Sequence, residues 1–228
     1  MDHSNLNKWV VITAGGSGLR MGSSTPKQFL EIEGKPLLAH TIDAFQKALP
    51  KINIVLVLPS DKIGYWEEEI ATFTTAENFK IVSGGKTRFQ SVKNGLNTIE
   101  DRNALIAVHD GVRPLISNKL IHRVFEGAAT NGNAIPVIPI QESLRKVTGE
   151  TSIIVDREAY KIVQTPQCFK AEQLLPAFEA DYDESFTDEA SVVEKAGHAI
   201  HLVEGDSMNI KITTPADLER VAAFIKKG

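Results

Sequence analysis

The stretch WVVITAGGSGLRMGSSTPK, residues 9–27, decides how this chain is to be read. Trp9, Val10, Val11 and Ile12 have the continuous apolar character of a buried strand. They lead into a turn dense in glycine (Gly15, Gly16, Gly18, Gly22) that carries two cations, Arg20 and Lys27. Glycine has no Cβ, so its backbone can approach a ligand closely. Successive amides in such a turn form a concave nest for phosphate oxygens. Arg20 and Lys27 add full charges to those partial ones. A strand feeding a cationic glycine loop points to a phosphate-bearing nucleotide.

Two well-known loops are excluded. A P-loop needs glycine, four residues, then Gly-Lys-Ser/Thr, whereas Lys27 follows Pro26. The dinucleotide fingerprint needs G-x-G-x-x-G. Gly16, Gly18 and Gly22 are spaced one residue too long for it, and the next apolar run ends in Pro59 rather than in an acid.

The 228 residues are 42% apolar, enough for a substantial core, and are expected to form one domain. A net charge of −4 argues against general nucleic-acid binding. No apolar run approaches a membrane span. The opening MDHSNLNKW lacks the regions of a signal peptide. Cys168 is the only cysteine, so neither an intrachain disulfide nor a cysteine zinc site can form; it reads as a small core residue. A cytoplasmic protein is expected.

Strand-like runs at 10–14, 54–58, 80–82, 105–109 and 134–140 alternate with helical patterns. Ile63, Trp66, Ile70 and Phe73 form one apolar stripe; Phe89, Val92, Leu96 and Ile99 form another. A third comprises Leu120, Ile121, Val124, Phe125 and Ala128, behind Ser117 as N-cap. This alternation predicts an α/β fold: a Rossmann-like three-layer α/β/α arrangement around a mainly parallel mixed sheet. Ligands of such sheets sit at the carboxyl ends of the strands, where the loops after Ile12, at Gly84-Gly85 and at 109–113 all open. The rhythm breaks at 141–156, QESLRKVTGETSIIVD, which reads as a protruding hairpin turning at Thr148-Gly149. A two-stranded ribbon is marginal alone, so a second copy of the chain is its expected partner. The chain returns through 160–163 and a helix near 171–178. A last helix begins at Thr214-Pro215, with an apolar stripe of Leu218, Val221, Ala222 and Ile225.

Other constellations carry chemistry. Asp110 ends an apolar strand and could meet a substrate hydroxyl or a divalent cation; Arg113 reads as its turn partner and His109 as a structural histidine. The turn SGGKTRFQS, residues 83–91, opens a helix whose free amides could face a base edge or an anion. In FTDEAS, residues 186–191, Thr187 or Asp188 reads as an N-cap, and Glu189 as part of the helix start. Lys211 stands in an otherwise apolar strand-like run and is costly to bury unpaired. It faces either the phosphate crevice or solvent.

TAGGSGLRMGSSTPKQF, GGKTRFQSV, VHDGVRP, QTPQ, FTDEAS and NIKIT occur in this order across nearly the whole chain. Together they closely resemble the 2-C-methyl-D-erythritol 4-phosphate cytidylyltransferase family of the non-mevalonate isoprenoid pathway. The resemblance implies a Rossmann-like domain whose β-arm, here 141–156, clasps a second subunit in a homodimer. It implies that Ala14, Gly15, Gly16, Gly18, Arg20 and Lys27 hold CTP. Gly84, Gly85 and Ser91 would face cytosine and ribose, with Gly111 along the ribose. Thr165 and Lys211 would complete the phosphate side, and Asp110 would lie near the acceptor's hydroxyls or the metal. Thr187 would neighbour the acceptor, and Ser143 and Arg157 of the partner's arm would hold its phosphate. Mg²⁺, carried mainly by the CTP phosphates, is the implied cofactor. The residues leave open ribitol 5-phosphate as acceptor, and, from another class, a non-catalytic nucleotide-binding module.

Overall fold

The computed structural model describes residues 6–15, 26–73 and 78–226. Gly16, Gly18 and Arg20 lie outside the described residues. The central strand is β1 (Lys8–Thr13), flanked in parallel by β4 (Asn53–Leu58) and β6 (Leu105–Asp110). The edge beyond β4 is β5 (Phe79–Ser83), also parallel. β2 (Glu31–Ile32) and β3 (Lys35–Pro36) form a separate small ribbon. On the other side of β6 the sheet turns mixed. β11 (Gln167–Lys170) inserts antiparallel between β6 and β7 (Asn133–Pro139). β10 (Lys161–Val163) continues antiparallel along the same edge of β7, and β12 (Leu202–Glu204) pairs in parallel with the opposite edge.

Strand alternation sends successive side chains to opposite faces, and both faces are covered. Val10, Ile12, Ile54 and Leu56 pack with α1 (Leu37–Ala48) and α4 (Asn118–Asn131). Val11, Val55, Val57 and Val108 pack with α3 (Arg88–Leu96), α5 (Ala171–Ala177) and α6 (Glu189–Lys195). Because both faces are buried, each parallel strand reads as an unbroken apolar run. Cys168 is fully buried in β11. A third cluster joins Val221 of α7 (Pro215–Ile225) to Leu37, Val112 and Ile212. Among the described residues no helix is long and apolar enough to cross a membrane.

The caps fall where expected. Ser117 Oγ accepts from Leu120 N–H, and Thr214 and Asp217 form a capping box at α7. The 63–73 stripe differs. A short α2 (Ile63–Tyr65) passes into a π-turn at Trp66–Ile70 and then a 3₁₀ turn. The wider π-turn keeps Trp66 and Ile70 buried but rotates Phe73 outward, to 38% exposure.

Residues 145–154 form the expected ribbon. Among the described residues β8 (Arg145–Thr148) and β9 (Thr151–Ile154) pair only with each other, and Gly149 takes the left-handed conformation at the tip, φ 60°. Val147, Ile153 and Ile154 are exposed. The ribbon therefore has no core in the single chain.

Candidate active site

The carboxyl ends of β1, β5 and β6 open into a cleft of about 320 Å³. The register sets its floor, since Thr13 pairs with Asp110 on one side and with Val57 on the other. Ala14, Gly15, Gly85, Ser91, Asp110, Lys27 and Lys211 all line it. A larger cavity of about 600 Å³ lies between α4, β7 and the base of the ribbon. The smaller cleft has the chemistry, because it is where the cations converge at the strand ends.

Lys27 opens a 3₁₀ turn, Lys27–Phe29, whose Gln28 and Phe29 are buried. Gln28 Nε2 donates to the Ala14 carbonyl at 2.7 Å, which ties this turn to the end of β1. Lys27 Nζ donates to the Ile212 carbonyl at 3.1 Å. The lysine thus links the 27–29 turn to the segment carrying Lys211. That segment is a correction: residues 209–213 are not a strand. Ile212 N–H reaches the Val112 carbonyl, but among the described residues no ladder of strand pairing forms beside it. Ile210 and Ile212 pack inward on the α7 cluster, while the Lys211 ammonium lies 3.1 Å from Asp110 Oδ2. Of the two orientations open for Lys211, the structure has the one facing the crevice.

Asp110 is the hub. Its Oδ2 also accepts from Arg113 Nε at 3.0 Å, and Arg88 Nη2 is 3.8 Å from its Oδ1. Burial alone would push its carboxyl up, but Lys211, Arg88 and Arg113 hold it well below the usual carboxylate range. Arg113 is therefore the turn partner that its spacing suggested, and it also donates to the Asn209 carbonyl at 2.9 Å.

Behind Asp110 runs a neutral hydrogen-bond chain. Asp110 N–H donates to Thr165 Oγ1 at 3.1 Å, and Thr165 Oγ1 lies 3.1 Å from His109 Nδ1. His109 Nε2 faces the Arg113 carbonyl at 3.3 Å. The carbonyl requires a donor, so the network assigns the proton to Nε2, and Nδ1 accepts the threonine hydroxyl. Burial lowers the His109 pKa to about 3, with Asp110 opposing and Arg113 assisting. The folded state thus keeps this histidine neutral, while an unfolded chain protonates it near pH 6.5. Stability from His109 is complete above pH 6.5 and is lost as pH falls toward 3. Between pH 7 and pH 5 the loss expected from this residue is about 2 kcal/mol. Urea unfolding of the wild type and of His109→Gln at the two pH values should show a flatter dependence in the variant; equal slopes would refute the assignment.

The second glycine turn is less open than its sequence suggests. Gly84 N–H donates to Leu58 O, and Gly85 N–H to Ser91 Oγ. Lys86 and Thr87 N–H both donate to Gln90 Oε1, completing a capping box at α3. The amides of residues 84–87 are thus taken up by the fold itself. The glycines serve through close approach. A Cβ on Gly84 would sit 3.0 Å from Ser91 Oγ, and one on Gly85 2.4 Å from Gln90 Cβ. Gly111 is packed likewise, and its N–H donates to the Thr13 carbonyl.

The remaining expected residues stand apart from the cleft wall. Thr165 is buried behind Asp110, and Thr187 N–H donates to Ser191 Oγ at 3.1 Å. Ser143 and Arg157 flank the ribbon; Arg157 donates to the Gln141 carbonyl and pairs with Glu158. Asp188, not Thr187, caps α6. Glu189 does begin α6, as its sequence suggested, but its pairing with Arg88 was not legible there. Arg88 lines the cleft and forms a two-pronged ion pair with Glu189, which is 1% exposed. Burial pushes the Glu189 carboxyl up, and the Arg88 guanidinium opposes this.

Fold and cleft together have the form of a nucleotide-handling transferase: strand-end glycines, Gly15 and Gly85, share a cleft with Lys27, Lys86, Arg88 and Lys211. The family model for IspD, 2-C-methyl-D-erythritol 4-phosphate cytidylyltransferase, matches residues 9–227. A protein of that name from Phocaeicola vulgatus is 46% identical over 220 residues, 96% of this chain and 100% of the relative. One from Clostridium perfringens is 39% identical, covering 95% of this chain and 97% of the relative. Among solved structures, the 2-C-methyl-D-erythritol 4-phosphate cytidylyltransferase of Thermus thermophilus is 30% identical, with TM-score 0.76 over 97% of this chain and all of that one. The 4-diphosphocytidyl-2C-methyl-D-erythritol synthase of Anaerococcus prevotii gives TM-score 0.83 at 25% identity, over 98% and 97%. The chain belongs to the 2-C-methyl-D-erythritol 4-phosphate cytidylyltransferase family and is a cytidylyltransferase.

Proposed function

We propose that the cleft joins CTP to 2-C-methyl-D-erythritol 4-phosphate, giving 4-diphosphocytidyl-2-C-methyl-D-erythritol and pyrophosphate. The supporting observation is the convergence of Lys27 and Lys211 on one strand-end cleft beside Asp110, in a chain of this family. An acceptor phosphate oxygen attacks the α-phosphorus in line, forming a new P–O bond as the bond to pyrophosphate breaks. The nucleophile is already anionic, so no general base is needed. The barrier is repulsion between two anions, and catalysis is positioning plus electrostatic stabilisation.

In this reading Lys27 and Lys211 stabilise the charge gathering on the α-phosphoryl, and Arg20 the departing pyrophosphate. Ala14, Gly15, Gly16 and Gly18 cradle the triphosphate. Gly84, Gly85 and Ser91 shape the cytosine and ribose pocket, and Gly111 lets the ribose lie flat. Thr165 supports the phosphate side by holding Asp110 in place, and Asp110 meets the acceptor's hydroxyls. Thr187 borders the acceptor. Ser143 and Arg157 reach its phosphate from the ribbon of a second copy, and the exposed Val147, Ile153 and Ile154 favour such a homodimer. Both substrates are anionic and water-soluble, which goes with a cytoplasmic site of action.

Mg²⁺ belongs to the same proposal. Among the described residues Asp110 is the one carboxylate on the cleft wall, and three cations already neutralise it. Among the described residues no three His, Cys, Asp or Glu side chains come together as a metal site. This donor set suits a metal held mainly by substrate phosphates, with Asp110 as its one nearby protein carboxylate. When bound, Mg²⁺ would supply charge neutralisation along the triphosphate.

Pyrophosphate release from CTP, measured with each acceptor and with and without Mg²⁺, tests the reading. The methylerythritol phosphate should exceed ribitol 5-phosphate by about tenfold or more in kcat/KM. The reverse order would reassign the acceptor, and binding of CTP with no release would make the chain a binding module. Mixing inactive Arg157→Ala with inactive Lys27→Ala should restore part of the activity, since a mixed dimer holds one intact site. No recovery would argue against a shared site.

A further inference from the structure

We infer that Glu189 is a positioning residue that keeps Asp110 Oδ1 open to the acceptor by holding Arg88 away from it. The two oxygens of Asp110 are used unequally. Oδ2 meets Arg113 Nε at 3.0 Å and Lys211 Nζ at 3.1 Å, while Oδ1 faces Arg88 Nη2 at 3.8 Å. That gap lies beyond hydrogen-bond distance, yet Arg88 is on the cleft wall with its guanidinium aimed at this carboxylate. What restrains it is Glu189. Both terminal nitrogens of Arg88 are engaged by the two Glu189 oxygens, Nη2 with Oε2 at 2.9 Å and Nη1 with Oε1. A fork bound by both prongs has a fixed plane and reach.

Glu189 is itself fixed from behind. It is the first residue of α6, whose N-cap Asp188 accepts from Gln167 Nε2 at 2.8 Å, and Gln167 Oε1 accepts from Ala190 N–H at 2.9 Å. β11 thus anchors the start of α6, α6 holds Glu189, and Glu189 holds Arg88. Without the glutamate, the guanidinium is left in the cleft wall with Asp110 as the carboxylate next to it. Closure of less than an ångström would give it a hydrogen bond to Oδ1, and the acceptor's hydroxyls would lose that oxygen.

The inference rests on the proposed role of Asp110 toward the acceptor. Its test is steady-state kinetics of pyrophosphate release, varying each substrate separately. Wild-type turnover with 2-C-methyl-D-erythritol 4-phosphate checks the underlying reading in the same assay, so failure there is distinct from failure of the inference. Glu189→Ala should raise the acceptor KM by about tenfold or more and leave the CTP KM within about threefold. The double variant Arg88→Leu/Glu189→Leu removes the cation that would close on Asp110, and similar-sized apolar replacement of a buried pair is often well tolerated. It should return the acceptor KM to within about threefold of wild type, while Arg88→Lys alone should raise it, because an ammonium cannot be held in a fork. If Glu189→Ala leaves the acceptor KM unchanged, or moves both KM values equally, the inference is overturned. If Glu189→Ala does not fold, an acceptor KM in the double variant that stays about tenfold above wild type overturns it as well.

Discussion

Lys27→Ala is expected to lower kcat by about 10²–10³-fold, the usual cost of removing one preorganised contact to transition-state charge. The position of the ammonium supports so large an effect. It is held to the Ile212 carbonyl of the 209–213 segment and lines the cleft with Lys211. The fold should persist, because Gln28 and Phe29 anchor the turn independently of the lysine side chain. Single-turnover rates together with a thermal melt check both halves. A folded variant with near wild-type turnover would remove Lys27 from the mechanism.

Asp110→Asn should cost about 3–5 kcal/mol of stability, the range for breaking a buried ion pair from one side. Asparagine keeps the size and can still accept from Arg113, but Arg113, Lys211 and Arg88 all lose their shared anion. Arg113 suffers most, being nearly as buried as the aspartate. The wild-type contribution has a defined pH sense. The folded pKa is depressed, so the stabilisation is present above the unfolded value of about 3.9 and is lost as pH falls below it. Urea unfolding at pH 7 should show the full deficit in the variant, shrinking in acid as the wild type protonates. A deficit under about 1 kcal/mol at pH 7 would mean that the three cations are satisfied elsewhere.

The parallel half of the sheet was legible because its physics is local. Val10–Ile12, Ile54–Leu58 and Leu105–Val108 are buried on both faces, so each is an uninterrupted apolar run. β11 was hidden for the opposite reason. Its four residues, Gln-Cys-Phe-Lys, carry no period of their own and become a strand only because β6 and β7 flank them. The 209–213 run erred in the other direction: its alternation looks like a strand, but among the described residues no strand pairs with it. In the cleft, Lys27, Asp110 and Lys211 stand out as charges set in apolar or glycine-rich surroundings. Arg88 and Glu189 do not. Glu189 occupies an ordinary helix start, and its partner is 101 residues away, a separation that no local pattern encodes.

The place of β1 between two parallel neighbours makes the chain unequally tolerant of changes in length. Thr13 is bracketed by Val57 and Asp110 in one continuous register. Deleting a single residue from Trp9–Ile12 would exchange the inward and outward side chains along the strand. It would also draw Ala14 and Gly15 back by about 3.3 Å from the aspartate they face. Residues added ahead of Lys8 would leave this ruler untouched. Natural variation in length should therefore collect before the first strand and at the ribbon tip, and be absent between Trp9 and Gly15.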